Sequence, residues 1–418
     1  MFKSADLPRH AWLTVILLWF AGALYFLDRV VVTTMHNSLI SAIPMTDAQY
    51  GLQISIFFWV YCVLSPVAGY VSDRFRRSRV IAGSLLAWSV ITLLTGYARS
   101  FEGLMTMRVL LAFGEACYYS AAVALICDYH RGSTRSLANG LHVTGLMIGG
   151  AGAGIGGWLA DTKGWSFTFY ALGAIGIVYS LMIFLFLKDA PKEHEEAREA
   201  GGAKPDQPET SFADAFRSLF SSGAFWLAFC FWGLLGIIMG LVVGWMPTYI
   251  MERFHLTQGT AGFVSTGYSS VASFIGVLGG GALSDAWSRR NRYARILVPA
   301  IGLCIAAPGV FLVASSKVLF LSIAGLCLYA LTRSFTDSNL MPILCMIVDP
   351  RYRATAYGYL DMLSFLMSGL AIFLGGVLRD AHVGLSTMLS FSALSVIGCA
   401  ALLFALAVKA RRLEAKDA

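Results

Sequence analysis

Stretches of about twenty predominantly apolar residues recur along this chain, and that recurrence constrains the fold more than any motif does. Twelve can be marked, at about 11–36, 50–72, 79–98, 103–127, 134–160, 165–187, 223–250, 260–284, 294–315, 319–347, 354–378 and 384–408. A helix rising 1.5 Å per residue needs that length to cross the hydrocarbon of a bilayer. Barrel strands would instead alternate over roughly ten residues. The fold class is therefore all-α membrane protein with twelve transmembrane helices, here called spans 1 to 12. Composition agrees: 57% of the 418 residues are hydrophobic and 13% charged, against roughly 25% charged in soluble proteins.

The N-terminal apolar stretch is too long for a signal peptide and lacks a small-residue cleavage pattern, so it reads as a retained span. The eight Cys stand singly, without metal-ligand spacing, and read as small packing residues. No nucleophile–base pairing and no phosphate loop appears, and the reading is neither enzyme nor cofactor protein.

Lys and Arg set the orientation. With both termini cytoplasmic, 23 of the 31 lie in cytoplasmic segments, 5 in outer loops, and 3 within spans. Positive charge held on one side predicts topology. It also accounts for the formal charge of +7 without a nucleic-acid partner.

A linker rich in Lys, Glu, Pro and Gly, 188–222, separates spans 1–6 (residues 1–187) from spans 7–12 (223–418). The halves are related. GYVSDRFRRSR from Gly69 and GALSDAWSRRNR from Gly281 follow spans 2 and 8, RSLANG from Arg135 and RATAYG from Arg353 open spans 5 and 11, and GGWLAD from Gly156 and GGVLRD from Gly375 close them, at offsets of 212, 218 and 219. Two pseudo-symmetric six-helix bundles are the mark of a carrier rocking around a central site.

Charges inside the spans are the chemical signal. Each costs about 2.5–3.5 kcal/mol on insertion scales and needs a cavity or a partner. Asp28 and Arg29 are adjacent in span 1, so their side chains diverge by about 100° and each must look elsewhere. Arg108 and Glu115 in span 4 are two turns apart on one face. Arg333 and Asp337 in span 10 stand one turn apart, able to pair; Asp361 in span 11 is a further acid. Shifting Glu115 by the repeat offset of 218 reaches Arg333, so acid and base are expected at pseudo-equivalent positions on facing helices. A carboxyl in a low-dielectric cavity retains its proton nearer neutral pH, while a neighbouring guanidinium opposes this. An anion competing for that guanidinium couples its own binding to protonation, and the planar fork of Arg suits a carboxylate.

His142 in span 5 and Asn339 in span 10 are further polar candidates. The glycines between Gly145 and Gly157 should form a close-packing seam. Trp165 and Tyr249, near span ends, are expected in the interfacial aromatic belt.

Gly69-x-x-x-Asp73-Arg74-x-Arg76-Arg77 resembles the signature loop between helices 2 and 3 of the major facilitator superfamily, with a degenerate copy ending at Asp285. The resemblance covers essentially the whole chain and implies that Asp73, Arg74 and Asp285 act in gating. Tyr25-Phe26-Leu27-Asp28-Arg29 is similar to the helix 1 motif of the anion:cation symporter family, and Arg108 with the GEACYYSAA of Glu115 resembles its helix 4. That likeness implies a proton-coupled symporter of a small organic anion, a sugar acid such as a hexuronate, aldonate or sialate. Asp28 and Glu115 would take protons, with Asp337, Asp361 and His142 as additional coupling groups. Arg29, Tyr61, Arg108, Tyr118, Arg333 and Asn339 would bind substrate. The implied setting is a monomer in the bacterial inner membrane. Tyr25 departs from the Asn frequent in that family, and span 5 offers His142 and Thr144 rather than Gln. The spinster-like carriers of lysolipids or sphingolipids also have an acid–Arg pair in helix 1 and a similar helix 4, and provide the alternative expectation.

Overall fold

The computed structural model describes residues 9–130, 134–190 and 212–417. Among these, twelve helical segments are long and apolar enough to cross a membrane: His10–Thr34, Asp47–Ser65, Arg77–Thr95, Phe101–Tyr129, Leu137–Lys163 and Trp165–Phe186 in the first half, and Gly223–Phe254, Gln258–Ser288, Ala294–Ser315, Leu319–Ile347, Thr355–Asp380 and Leu385–Arg412 in the second. The second helix as a whole runs Asp47–Arg74. Large apolar side chains such as Phe184, Leu185, Phe320 and Phe391 are exposed along the spans, as a surface facing lipid tails requires.

The chain divides into two compact units, Met1–Met45 with Ile56–Gln207, and Thr46–Ser55 with Pro208–Ala418. The division does not follow chain order alone: the first residues of span 2 cluster with the second unit. Their contacts explain this, because the Ser55 hydroxyl donates to the Gly369 carbonyl at 2.6 Å and the Asp380 carboxylate accepts from the backbone N–H groups of Asp47 and Ala48, both at 3.0 Å.

Glycine sets the closest helix pairs, and it does so from opposite partners in the two units. In unit 1 the seam in span 5 presses on span 1: a Cβ on Gly145 would stand 2.3 Å from the Trp19 carbonyl oxygen, and one on Gly149 2.1 Å from that of Ala23. Thr34 Oγ1 donates to the Ala153 carbonyl at 2.9 Å and accepts from Gly157 N–H at 3.0 Å. It thereby covers the interruption in span 5 between Ala151 and Gly154. In unit 2 the glycines lie on span 7 instead. Cβ atoms on Gly236 and Gly240 would stand 2.6 and 2.3 Å from the carbonyl oxygens of Ser364 and Ser368 in span 11.

Span 10 is not one helix. It breaks at Ser334, between Leu319–Arg333 and Phe335–Ile347. No proline stands at the break. Hydroxyl groups compete there for backbone carbonyls, with Ser334 Oγ donating to Ala330 O at 2.8 Å and Thr336 Oγ1 to Arg333 O at 2.7 Å. Span 8 contains a π-helical segment, Phe263–Gly267. The belt expectation fails for Trp165 and Tyr249, which are both buried. Tyr249 donates its hydroxyl to the Val313 carbonyl at 2.7 Å, satisfying an acceptor in the last turn of span 9.

Candidate functional site

The first unit gathers the charges of spans 1 and 4 into one buried cluster. Asp28, Arg29, Arg108 and Glu115 are 5, 8, 2 and 0% exposed, so no exposed-surface interpretation applies to any of them. Span 1 brings Asp28 and Arg29 in on successive residues, and the glycine seam of span 5 fixes the height at which they stand. Span 4 delivers Glu115 beside Gly114, where a Cβ would lie 3.0 Å from the backbone and Cβ of Trp88. The Ser84 hydroxyl also bonds the Gly114 carbonyl, so spans 3 and 4 are drawn together at the depth of the acid.

Asp28 and Arg29 part company as helix geometry requires. The guanidinium turns to Glu115, with Nη2 3.1 Å and Nε 3.3 Å from the same oxygen, Oε2. Arg29 also donates to the Tyr25 hydroxyl, which donates onward to Tyr61 Oη at 2.9 Å. Three rings enclose the cation: its Cζ lies 4.5 Å from the centroid of Tyr25, 4.8 Å from Phe57 and 4.5 Å from Tyr61. Aromatic faces at these distances attract a cation, more strongly when water is absent. Asp28 takes the other direction and accepts from Thr92 Oγ1 in span 3 at 3.1 Å. The positive charge of Arg108 acts on both Asp28 and Glu115.

Glu115 is left half-satisfied. Oε2 receives both Arg29 contacts, whereas Oε1 is buried with no hydrogen-bond partner. A buried carboxylate oxygen without a donor is costly, and this atom can accept a proton or a ligand donor.

Behind this cluster, the Tyr118 hydroxyl donates to the Leu18 carbonyl at 2.9 Å and lies 3.1 Å from His142 Nε2. With the tyrosine proton directed at Leu18, His142 donates from Nε2, and its buried Nδ1 has no partner. Tyr118 is wholly buried, with its hydroxyl engaged by these two partners. Thr92 and Phe57 stand out by no sequence signal, because a hydroxyl or a phenyl in an apolar span looks like packing.

The second unit holds the other candidates. Arg333 Nη2 and Asp337 Oδ1 are 2.7 Å apart across the break in span 10. Asn339 is buried, and its amide donates to the Phe335 carbonyl at 2.9 Å. Asp361 is half-buried on span 11. Of the gating candidates, the Asp73 side chain lies outside the described residues, Arg74 is exposed, and Asp285 forms an exposed pair with Arg295 at 3.3 Å. At the same end of unit 1, Arg77 pairs with Asp128. Asp189 caps the start of span 3 through Ser78 N–H and Oγ, both at 2.8 Å.

Residues 18–372 match the family model described as Major Facilitator Superfamily. The chain belongs to that superfamily. This facilitator is 26% identical over 392 residues to protein spinster homolog 1 of Xenopus tropicalis, a match covering 89% of this chain and 73% of that one. It is 25% identical over 401 residues to the probable sulfoacetate transporter SauU of Cupriavidus necator, covering 93% and 87%. Among solved structures, the inward-facing, unoccupied crystal structure of a bacterial homolog of the human lysosomal transporter spinster superimposes with a TM-score of 0.77 at 22% identity, over 99% of each chain. The nucleoside transporter NupG superimposes with a TM-score of 0.74 at 14% identity. The facilitator is thus a multi-pass membrane transporter and not an enzyme.

Proposed function

We propose that this transporter carries a small organic anion together with protons by alternating access, across the inner membrane of a bacterium, with both termini on the cytoplasmic side. The favoured substrate class is a sugar acid such as a hexuronate, aldonate or sialate. One observation carries the reading: the fork of Arg29 is occupied by a single oxygen of Glu115, while Glu115 Oε1 is buried without a partner.

The coupling follows from that arrangement. With Glu115 ionised, the protein's own carboxylate occupies the Nε–Nη2 edge of Arg29. A proton placed on Oε1 removes the charge that holds the guanidinium, and a substrate carboxylate can then take that edge with two hydrogen bonds. Proton and anion enter together because each removes an obstacle to the other. The aromatic enclosure of Tyr25, Phe57 and Tyr61 keeps the guanidinium in place and dry throughout the exchange. Asp28, held by Thr92 and separate from Arg29, serves as the second proton group, and Arg108 biases both acids. The probable sulfoacetate transporter among the relatives supports an anionic cargo. The excess of Lys and Arg in one set of loops supports the orientation.

The likeness to spinster proteins keeps the alternative expectation, a proton-coupled carrier of lysolipids or sphingolipids, as a second reading. Proteoliposomes with an inward proton gradient separate the two. Uptake of labelled D-glucuronate, D-galactonate, N-acetylneuraminate and sulfoacetate is measured against transfer of lysophosphatidylcholine. Accumulation of an organic acid is expected. Lysolipid transfer with no acid accumulated overturns the first reading.

A further inference from the structure

We propose that Arg333 in the second unit is an anion-binding site in its own right, with Asp337 as a built-in stand-in for the ligand's carboxylate or sulfonate. The proposal rests on the organic-anion reading above and adds to it a second place where the cargo's charged group is held.

The backbone around Arg333 is clamped with unusual closeness. A Cβ on Gly276 would stand 2.0 Å from the Leu331 carbonyl oxygen, one on Gly280 2.7 Å from the Phe335 ring, and one on Gly302 2.7 Å from the Thr332 carbonyl oxygen. Glycines from spans 8 and 9 therefore close on the residues either side of Arg333, and Thr332, Ser334 and Thr336 are buried. Arg333 and Asp337 share a different face, on which their side chains are 16 and 35% exposed. The carbonyls of Ala330 and Arg333, at the end of the first half-helix, are taken by Ser334 and Thr336, so the ion pair satisfies neither of them. The π-helical segment of span 8 packs on the first half of span 10. Such irregularities in spanning helices recur at binding sites.

Within this rigid frame the pair is incomplete. Asp337 reaches Arg333 through Nη2, while Nε, the other donor on the same edge, is buried with no partner. At Arg29 both donors of that edge are engaged by Glu115. An i,i+4 aspartate across a helix break thus satisfies one donor of a fork made for two. A free carboxylate or sulfonate, not tied to the helix, satisfies both. Asp337, the more exposed partner, can swing aside to admit it. Arg333 ends one half-helix and Asp337 lies in the first turn of the next; an anion replacing Asp337 inherits the favourable field of that second helix start.

The test uses the full-length transporter in lipid nanodiscs, titrated with sulfoacetate and with D-glucuronate by calorimetry at one fixed pH and salt concentration, with melting temperatures read in parallel. Asp337→Ala removes the competitor and is expected to tighten, by at least tenfold, whichever probe the wild type binds. Adding Arg333→Gln is expected to abolish the gain and take affinity at least tenfold below wild type. Adding Arg333→Lys instead keeps the charge without the fork and is expected to recover less than a third of the gain. If Asp337→Ala leaves affinity unchanged or weakens it, Asp337 is a brace for Arg333 and the proposal is overturned while anion transport stands. If Lys serves as well as Arg, the two-donor edge is unused and the proposal is likewise overturned. If the wild type binds neither probe, the organic-anion reading falls and takes this one with it.

Discussion

Replacing Glu115 by Gln leaves the shape of the site unchanged and removes its charge. The structure gives the size of the effect. Arg29 makes two contacts to Glu115 Oε2, at 3.1 and 3.3 Å, and a Gln carbonyl oxygen can accept both. What is lost is the attraction between opposite charges, since Arg29 stays ionised and its bonds to the amide oxygen remain assisted from the donor side. A bond with both partners ionised lies toward the top of the roughly 1.5–3 kcal/mol range for bonds to charged groups and one with a single ionised partner toward the bottom, so the net weakening of the Arg29 anchor is about 1–1.5 kcal/mol. That is also the amount by which an incoming anion meets less competition. Glu115→Gln should therefore bind a transported organic acid roughly five- to tenfold more tightly than wild type at neutral pH. Exchange of external for internal substrate should persist, and accumulation driven by a proton gradient should disappear. The assay is paired counterflow and gradient-driven uptake in proteoliposomes, with affinity read by displacement. Undiminished accumulation in this variant would refute the coupling role of Glu115. Loss of both counterflow and accumulation would place Glu115 in substrate binding or in the fold.

Three further outcomes can be set beside it. Arg29→Lys retains the positive charge within the aromatic enclosure but loses the planar edge, and uptake efficiency should fall by about 30-fold, the equivalent of about 2 kcal/mol for one charge-assisted bond. Gly149→Val should lower the melting temperature and the folded yield, because its Cβ would stand 2.1 Å from the Ala23 carbonyl oxygen and relief requires spans 1 and 5 to separate, at about 1–3 kcal/mol; Gly83→Ala, with nothing within 4 Å of the added carbon and a better helix former in place, should lower neither. Arg379→Gln removes contacts to Asp47 at 3.0 Å and to Glu252 at 2.8 Å. Since the Glu252 side chain is 42% exposed, the loss should be about 1 kcal/mol, shrinking as salt is raised in a thermal melt.

Much of the fold was legible because the bilayer imposes a length on each element. The separate partners of Asp28 and Arg29 were legible for a similarly simple reason: neighbouring helical positions diverge, whatever the surroundings. Long-range placement was not. That the first residues of span 2 cluster with the second unit depends on Ser55 meeting Gly369 and Asp380 capping Asp47 and Ala48, partners more than 300 positions away. The break in span 10 escaped because a Ser–Thr interruption in an apolar stretch does not alter hydropathy. Tyr249 misled for a related reason: an aromatic near a span end serves lipid headgroups or a neighbouring helix's carbonyls equally well, and only packing decides. Thr92 and Phe57, which hold Asp28 and cover Arg29, carry no charge and so no signal.

The two arginines and their acids raise a common question of why such pairs persist inside a membrane. An apolar pair of similar volume is often as stable as a buried ion pair or more so, since it involves no desolvation. Here each pair also leaves one polar atom unsatisfied, Glu115 Oε1 in one unit and Arg333 Nε in the other. Stability is a poor reason to keep either. The consequence is testable at the second pair, whose carbonyl and hydroxyl neighbours are already satisfied without it. Arg333→Met with Asp337→Leu should melt at or above the wild-type temperature, because a side-chain pair 16 and 35% exposed contributes little and the orphaned Nε is removed. The same variant should lose organic-anion binding by at least tenfold. A clear fall in melting temperature, with anion affinity retained, would make the pair a structural brace across the helix break and remove the reason to assign it a ligand.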